Sequence, residues 1–134
     1  MLTLYFDGSS KGNPGPSAAG FVVFEDGKEL YRKVSTVSIG TNNQAEYFGL
    51  IMGLTWLTET GAPNKVTIRG DSQLVINQMI GTYRVKNDLL KVLHRAAVGL
   101  AMGREITFEW VPREENSLID SLCQDAADRL KSGL

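Results

Sequence analysis

The sequence predicts a mixed α/β fold, in which a five-stranded sheet carries helices on both faces in the order β-β-β-α-β-α-α-β-α. Two observations support this fold class. The first 40 residues contain strand-like segments and no helical pattern, which indicates an antiparallel meander. Further along, strands and helices alternate, as in β-α-β crossovers between parallel strands. The length of 134 residues, with 43% hydrophobic and 22% charged residues, predicts one domain over residues 1–134.

The first three elements are predicted strands. Residues 2–6 alternate in polarity and are rich in β-forming residues. We expect this strand to end at Asp7, because the segment that begins there is dense in the turn-forming residues Gly, Pro, Asn and Ser. Two more strands are predicted over residues 19–25 and 29–37. The Asp26-Gly27 pair between them favours a tight hairpin.

The pattern changes to a helical one after residues 41–43. The apolar residues that follow have helical spacing, and a Gly and a Pro end the helix: Ala45, Phe48, Met52 and Trp56, then Gly61 and Pro63. The same signals predict the remaining elements in order: a strand over 66–68 that ends at Gly70-Asp71, a helix over 72–80 capped by Asp71 or Ser72, a helix over 87–102, a strand over 106–111 that Pro112 ends, and a helix from Asn116 or Ser117 towards Leu130.

The sequence argues against a disulfide-bonded scaffold, a membrane-spanning protein and a chain with a signal peptide. The single cysteine, Cys123, cannot form an internal disulfide, which favours a reducing compartment. The apolar stretch 18–24 is far shorter than the ~20 residues of a membrane span. The N-terminus has no basic region typical of a signal peptide. We therefore expect a cytoplasmic protein with no membrane association.

Four acidic residues occupy positions that are typical of functional sites. Asp7 follows the first predicted strand and Asp71 follows the fourth. Glu46 lies in the first turn of the long helix, and Asp120 lies in about the first turn of the last helix. If strands one and four are parallel neighbours, Asp7 and Asp71 end side by side, and the other two acids can reach the same place from their helices.

Clustered carboxylates repel one another unless a cation neutralises them. Oxygen-only ligation favours Mg²⁺ or Mn²⁺ over Zn²⁺, and two such ions about 4 Å apart are a known arrangement for phosphodiester cleavage. Four bound carboxylates would also change the meaning of the net charge of −1, because the rest of the chain would then carry +3. Each acid taken alone fits an ordinary role: a turn at Asp7, a helix cap at Asp71, a favourable dipole contact at Glu46 and a solvated surface position at Asp120.

Together with their neighbours, these acids resemble the type 1 ribonuclease H family. The resemblance rests on four segments: Tyr5-Phe6-Asp7-Gly8-Ser9-Ser10-Lys11-Gly12-Asn13-Pro14-Gly15-Pro16, Thr41-Asn42-Asn43-Gln44-Ala45-Glu46, Asp71-Ser72-Gln73, and residues 111–120. The segments occur in the same order with compatible spacing and cover essentially the whole chain. The resemblance implies the ribonuclease H-like fold.

The resemblance also implies an activity and its cofactor. A family member is an endonuclease that cuts the RNA strand of an RNA–DNA hybrid with two Mg²⁺ ions, or Mn²⁺ as a substitute, and leaves 5′-phosphate and 3′-hydroxyl ends. We expect this chain to act as a monomer. By this resemblance Asp7 bridges both ions, Asp120 helps to hold the ion that activates water, and Glu46 and Asp71 hold the ion beside the leaving 3′-oxygen.

Residues for substrate binding follow from the same resemblance. Some line the RNA strand and sense its 2′-hydroxyl groups, the sugar feature that marks RNA: Ser10, Gly12, Asn13, Asn43, Gln73 and Glu46. Thr41 and Asn87 match positions that contact a phosphate of the DNA strand. Asn42 belongs to the same Thr41-Asn42-Asn43 segment and is expected to contribute.

The sequence departs from the family pattern in the region expected to bind the hybrid and in the loop before the last aspartate. A basic, tryptophan-containing insertion is absent between residues 81–86 and Asn87, so we expect modest, strongly salt-sensitive binding. Four basic residues are expected to form either a reduced basic face or an ordinary solvated helix surface: Arg84, Lys86, Lys91 and Arg95. A loop histidine found in many members is also absent, and we hypothesise that Arg113 takes over part of its role by contacting the cleaved phosphate.

Other interpretations remain open for the function and for single residues. The chain could be a non-catalytic hybrid-binding protein, or a nuclease of the same fold that acts on another nucleic acid, such as branched DNA. The one histidine, His94, is expected to be a surface or packing residue in its helix. Three aromatic residues that could stack on bases are instead expected to pack in the core: Trp56, Phe108 and Trp110.

Overall fold

The computed structural model describes residues 1–133 and confirms the predicted element order, with five strands and four helices in that range. The strands are β1 Leu2–Ser10, β2 Gly15–Glu25, β3 Lys28–Gly40, β4 Lys65–Gly70 and β5 Glu105–Trp110. The helices are α1 Asn42–Glu59, α2 Gln73–Ile80, α3 Asp88–Ala101 and α4 Ser117–Lys131, and a 3₁₀ turn, Arg113–Asn116, precedes α4.

The sheet is mixed, with the strand order β3-β2-β1-β4-β5. Its first three strands form the antiparallel meander, while β4 and β5 run parallel to β1. Strands one and four are therefore parallel neighbours, as the sequence predicts. The hairpin between β2 and β3 is also confirmed, because Asp26 and Gly27 both have positive φ angles, of 51° and 81°, as a type I′ turn requires.

The first strand is longer than predicted. The prediction that it ends at Asp7 is wrong, because β1 continues along β2 to the Ser10–Ser17 pair. Likewise β2 begins at Gly15 and not at Ala19. Pairing between the two strands outweighs the turn preference of their Gly and Ser residues, so only residues 11–14 form the turn.

The two faces of the sheet carry different helices. On one face, α1 packs against β1 and β2 and is covered in turn by α3. Alternate residues of β1 point into this larger core: Leu2, Leu4 and Phe6. On the other face, α4 covers β1, β2 and β3 over a smaller cluster of Val22, Ile119 and Cys123. Helices on both faces are thus confirmed.

Helix α1 lies directly against the backbone of β1. A Cβ atom on Gly8 would overlap the backbone of Ala45 and Glu46, and a Cβ atom on Gly49 would overlap the carbonyl group of Asp7. Glycine is required at both positions because nothing larger fits between helix and strand. This close approach brings Glu46 beside Asp7.

Both ends of α1 are fixed by hydrogen bonds. At its start Thr41 and Gln44 form a reciprocal capping box, in which Thr41 Oγ1 accepts from the Gln44 N–H at 3.1 Å. The helix therefore begins at Asn42, and Glu46 lies in its second turn and not in the first as predicted. At its other end, the Arg104 guanidinium donates to the carbonyl group of Leu57 in the last turn of α1 and to those of Ala62 and Pro63 just beyond it.

None of the helices within residues 1–133 combines the length and the apolar content needed to cross a lipid bilayer.

We expect Gly8→Ala to lower the free energy of unfolding by about 1–3 kcal/mol or more, since the new methyl group must push α1 away from β1. Urea denaturation followed by circular dichroism measures this loss. Gly99→Ala in α3 is the matched control, because its added Cβ meets no atom within 4 Å. The control should be neutral or slightly stabilising. Equal denaturation midpoints for both variants would contradict the prediction.

Candidate metal and nucleic-acid site

Three of the four predicted acids come together at one edge of the sheet. Oxygen atoms of Asp7, Glu46 and Asp71 lie within 4.8 Å of one another. The pairing of β1 with β4 ends at Tyr5 and Arg69, so Asp7 and Asp71 each lie two residues beyond the last parallel pair. Glu46 reaches the same place from α1. The parallel register therefore accounts for the juxtaposition that the sequence predicts.

These carboxyl groups are poorly solvated. Asp7 is 2% exposed and Glu46 is 9% exposed. Within the described residues, Asp7 Oδ2 and Glu46 Oε1 are buried and have no hydrogen-bond partner. Burial raises the pKa of Asp7 to about 8; the interaction with Glu46 opposes this shift, and the charges of Asp71 and Asp120 add to it. Burial also raises the pKa of Glu46 well above its usual value, and the charges of Asp7 and Asp71 add to that shift. The pKa of Asp71 is raised as well, first by burial and then by the charge of Asp120.

The fourth acid, Asp120, lies in the first turn of α4 and borders the same cavity. Its carboxylate is not part of the group of three. Instead Asp120 Oδ2 accepts from Arg113 Nε at 3.2 Å, and Asp120 Oδ1 accepts from Gln124 Nε2 at 3.2 Å. The carboxylate of Asp120 raises the pKa of the Arg113 guanidinium through their hydrogen bond. Asp120 is thus the acid of the four whose charge is compensated by a neighbour.

The cavity has a volume of about 470 Å³ and an acidic lining. All four acids border it, together with two basic residues, Lys11 and Arg113. Lys11 Nζ is itself paired with Asp128 Oδ1 at 3.2 Å. The cavity is therefore lined by more acidic than basic groups.

The turn after β1 is bound to the start of α1. The Ser10 N–H donates to Asn42 Oδ1 at 3.0 Å, and the Asn42 N–H donates to Asn13 Oδ1 at 2.8 Å. The Ser10 hydroxyl donates to the carbonyl group of Gly40 at 2.7 Å. Three residues that the sequence suggests for substrate contact are thus brought together in one hydrogen-bonded unit beside the acids.

The other suggested contact residues lie at helix starts or on the surface. Thr41 and Asn87 are the N-cap residues of α1 and α3, and the Asn87 side chain accepts from the Leu90 N–H at 3.0 Å. Three more are exposed, in the turn and in the first turns of α1 and α2: Gly12, Asn43 and Gln73.

Sequence reasoning missed Trp110. Trp56 and Phe108 pack against the core as predicted, but Trp110 is 44% exposed and the prediction that it packs in the core is wrong. Its indole Nε1–H donates to the carbonyl group of Asp71 at 3.0 Å. An aromatic residue at the end of a strand gives no sequence signal for such a contact.

Sequence reasoning also missed the role of Asn116. It occupies the N-cap position of α4 without a capping hydrogen bond, and it is 2% exposed. Its Nδ2–H donates instead to the carbonyl group of Phe6 at 3.0 Å. The amide ties α4 to the strand residue that precedes Asp7.

The arrangement fits a hard divalent cation. The donors are carboxylate oxygens, and in the described part of the chain two of them are buried without a partner. Burying charged groups in this way is costly unless a cation compensates them. Oxygen-rich sites of this kind are typical for Mg²⁺ and Mn²⁺.

Comparison with known proteins agrees with the fold. A family model described as reverse transcriptase-like matches residues 5–126. The chain is 43% identical over 125 residues to the bifunctional protein Rv2228c of Mycobacterium tuberculosis, covering 91% of this chain and 34% of that protein. It is 34% identical over 147 positions to a ribonuclease H of a Sulfurovum species, covering 100% of this chain and 95% of that relative. The chain thus spans about a third of the length of the mycobacterial relative.

Solved structures of ribonuclease H proteins are also similar to this chain. The N-terminal RNase H domain of Rv2228c, solved as a fusion with maltose-binding protein, has a TM-score of 0.93 at 37% identity, covering 98% of this chain and 96% of that chain. LC11-RNase H1 in complex with an RNA/DNA hybrid has a TM-score of 0.90 at 34% identity, covering 96% of this chain and 98% of that chain. By sequence and by structure, this chain belongs to the ribonuclease H family.

Proposed function

We propose that this protein is an endonuclease that hydrolyses the RNA strand of RNA–DNA hybrids. The observation that carries the proposal is the pair of buried carboxylates, Asp7 and Glu46, with oxygen atoms that have no partner in the described structure and with Asp71 beside them. The hybrid bound in the related LC11-RNase H1 structure supports the substrate class. We further propose that residues 1–134 form one domain and act as a cytoplasmic monomer.

The carboxylates would hold two divalent cations, Mg²⁺ or its substitute Mn²⁺. Asp7 would contact both, Glu46 and Asp71 would hold the first, and Asp120 would help to hold the second. When bound, such a pair of cations activates the attacking water and stabilises the leaving 3′-oxygen, which gives 5′-phosphate and 3′-hydroxyl products.

The protein itself contributes the protons that a cation displaces from the buried acids, and a rigid arrangement of the carboxylates. The raised pKa values of Asp7 and Glu46 mean that a cation must displace protons from the buried pair, so cation affinity should rise with pH. Each acid comes from a different element: Asp7 from β1, Glu46 from α1, and Asp120 from α4. Packing between these elements fixes the carboxylates before substrate binds.

The polar residues beside the acids have free hydrogen-bonding capacity for RNA. The Ser10 hydroxyl uses its proton on Gly40, which leaves its oxygen to accept from a 2′-hydroxyl group. Asn43 and Gln73 present exposed amides that both donate and accept. Glu46, Gly12 and Asn13 complete the proposed RNA contacts, since 2′-hydroxyl recognition distinguishes RNA from DNA.

The cap residues are suited to a phosphate of the DNA strand. Thr41 Oγ1 and Asn87 Oδ1 accept hydrogen bonds from their own helices, which leaves the Thr41 hydroxyl proton and the Asn87 amide protons available to donate. A helix N-terminus also favours a negative charge. Asn42 would act mainly by holding the turn that carries Ser10 and Asn13.

Two alternatives are less well supported. A non-catalytic hybrid-binding protein would not need four carboxylates around one cavity, and all four are present. A nuclease for another nucleic acid would not need the amide and hydroxyl groups suited to 2′-hydroxyl recognition. Binding of any of these substrates should be modest, because the exposed basic residues of the 84–95 segment are few: Arg84, Lys86, Lys91 and Arg95. The part of the binding that they supply should weaken as salt is added.

The buried acids should make the cation-free protein less stable as the pH rises. Because the pKa of Asp7 is raised to about 8 in the folded state, the native protein binds the Asp7 proton more tightly than the unfolded chain does. This contribution to stability is fully present below pH 4 and is lost as the pH rises through about 8. In EDTA at pH 8, the Asp7→Asn variant should therefore have a free energy of unfolding about 1–3 kcal/mol higher than the wild type, and a higher unfolding temperature. At pH 4 this difference in stability should disappear. Thermal denaturation at both pH values tests this. A variant equal to or less stable than the wild type at pH 8 would contradict it.

Asp71→Asn should abolish hybrid cleavage in Mg²⁺, with a rate loss above about a hundredfold, because an oxygen ligand with its charge is removed. Cleavage of labelled hybrid, duplex RNA and duplex DNA measures the rate and substrate class together. The exposed α4 residue Asp125 gives the matched control, Asp125→Asn, which should cut at the wild-type rate. An unaffected rate in Asp71→Asn would refute the metal role, and wild-type protein that leaves the hybrid intact would refute the proposed function.

Arg113→Ala should slow turnover by roughly tenfold if the guanidinium contacts the cleaved phosphate, since such contacts are charge-assisted hydrogen bonds. Steady-state cleavage at saturating hybrid is the measurement. Arg129→Ala is the control, because Arg129 also pairs with an α4 acid, Asp125, at 3.1 Å and lies away from the cavity. Unchanged turnover in Arg113→Ala would show that this arginine does not replace the missing histidine.

A further inference from the structure

Trp110 makes a contact that core packing does not explain. It is the last residue of β5 and is 44% exposed. Its Nε1–H nonetheless donates to the carbonyl group of Asp71 at 3.0 Å. The residue thus joins the end of one strand to the backbone of a proposed cation ligand.

The backbone around Asp71 depends on β5 for its conformation. Asp71 lies in the short connection between β4 and α2, outside both elements. The carbonyl group before it, on Gly70, accepts from the Val111 N–H at 2.9 Å. Two successive carbonyl groups, of Gly70 and Asp71, are therefore held by two successive residues of the β5 terminus, Trp110 and Val111.

The Asp71 carboxylate needs such support. The charge of Asp120 repels it. Ionisation of Asp7 and Glu46, whose oxygen atoms lie within 4.8 Å of an Asp71 oxygen, would add to that repulsion and favour rotation of the side chain away from the group. A connection outside the helices and strands is also among the more mobile parts of a fold. Fixing the carbonyl group limits the backbone rotation that would let the carboxylate move away.

We infer that Trp110 is a positioning residue, which acts through its indole N–H on the Asp71 backbone to keep the Asp71 carboxylate directed at the cation site. The inference rests on the proposed function, because it assigns Asp71 as a ligand. Residues that form a hydrogen bond with a metal-ligating residue, without contacting the metal themselves, commonly tune metal affinity. The exposed ring suggests a competing role, in which the indole stacks on a base of the substrate, and the experiment separates the two.

Trp110→Phe tests the inference, because it keeps an aromatic ring and removes the donor. Binding of Mn²⁺ alone to the full chain is followed by the electron paramagnetic resonance signal of the free ion, and cleavage of hybrid is measured in parallel. We expect roughly three- to tenfold weaker Mn²⁺ binding, the effect of one lost hydrogen bond. We also expect a lower kcat at limiting cation, with an unchanged KM for the hybrid.

Two further variants make the result decisive. Trp56→Phe is the control, since Trp56 packs on the core with its ring stacked on Tyr31 at 5.6 Å, and it should bind Mn²⁺ as the wild type does. If Trp110→Phe does not fold, a benzothienyl-alanine at position 110 replaces the N–H with sulfur and keeps the shape of the ring. It should give the same weakened Mn²⁺ binding.

Unchanged Mn²⁺ affinity in the variant lacking the N–H would overturn the inference, as would a raised KM with unchanged Mn²⁺ affinity, the result expected for base stacking. The Mn²⁺ titration uses no nucleic acid. Failure of the wild type to cut the hybrid would therefore refute the proposed function and leave the titration able to decide the role of Trp110.

Discussion

The contact between the backbones of α1 and β1 is the constraint on which the site depends. Gly8 and Gly49 let the helix lie directly on the strand, with no side chain between them at those points. Glu46 is thereby placed beside Asp7 and excluded from water. A wider separation would leave both acids solvated, with ordinary pKa values and little tendency to gather a cation.

The close approach of α1 to β1 also means that the site destabilises the folded protein in the absence of cations. Asp7 and Glu46 are buried among like charges, and burial alone disfavours their ionised forms. The surrounding structure resists this repulsion with hydrogen bonds from distant parts of the chain, such as the bond from Asn116 to the carbonyl group of Phe6. The fold therefore holds a geometry that the acids alone would not adopt, as functional sites often require.

Most of the fold and the location of the acids could be predicted, because periodicity and turn residues are local signals. The parallel pairing of β1 with β4 follows from crossover rules, and that pairing brings Asp7 and Asp71 together. What could not be predicted depends on contacts between distant residues. The extension of β1 to Ser10 is fixed by pairing with β2, and the exposure of Trp110 is set by what surrounds the end of β5.

The contacts between α4 and β1 also bear on when the site can form during synthesis. Asn116 is 110 residues from its partner Phe6. Cys123 is 116 residues from Asp7, and its Sγ atom lies 3.7 Å from the Asp7 carbonyl oxygen. Contacts at such long sequence separation form late, since the intervening chain must first be ordered. A nascent chain on the ribosome would therefore carry β1 with one face uncovered until α4 emerged, and Asp7 would lack its cover from α4 until that point.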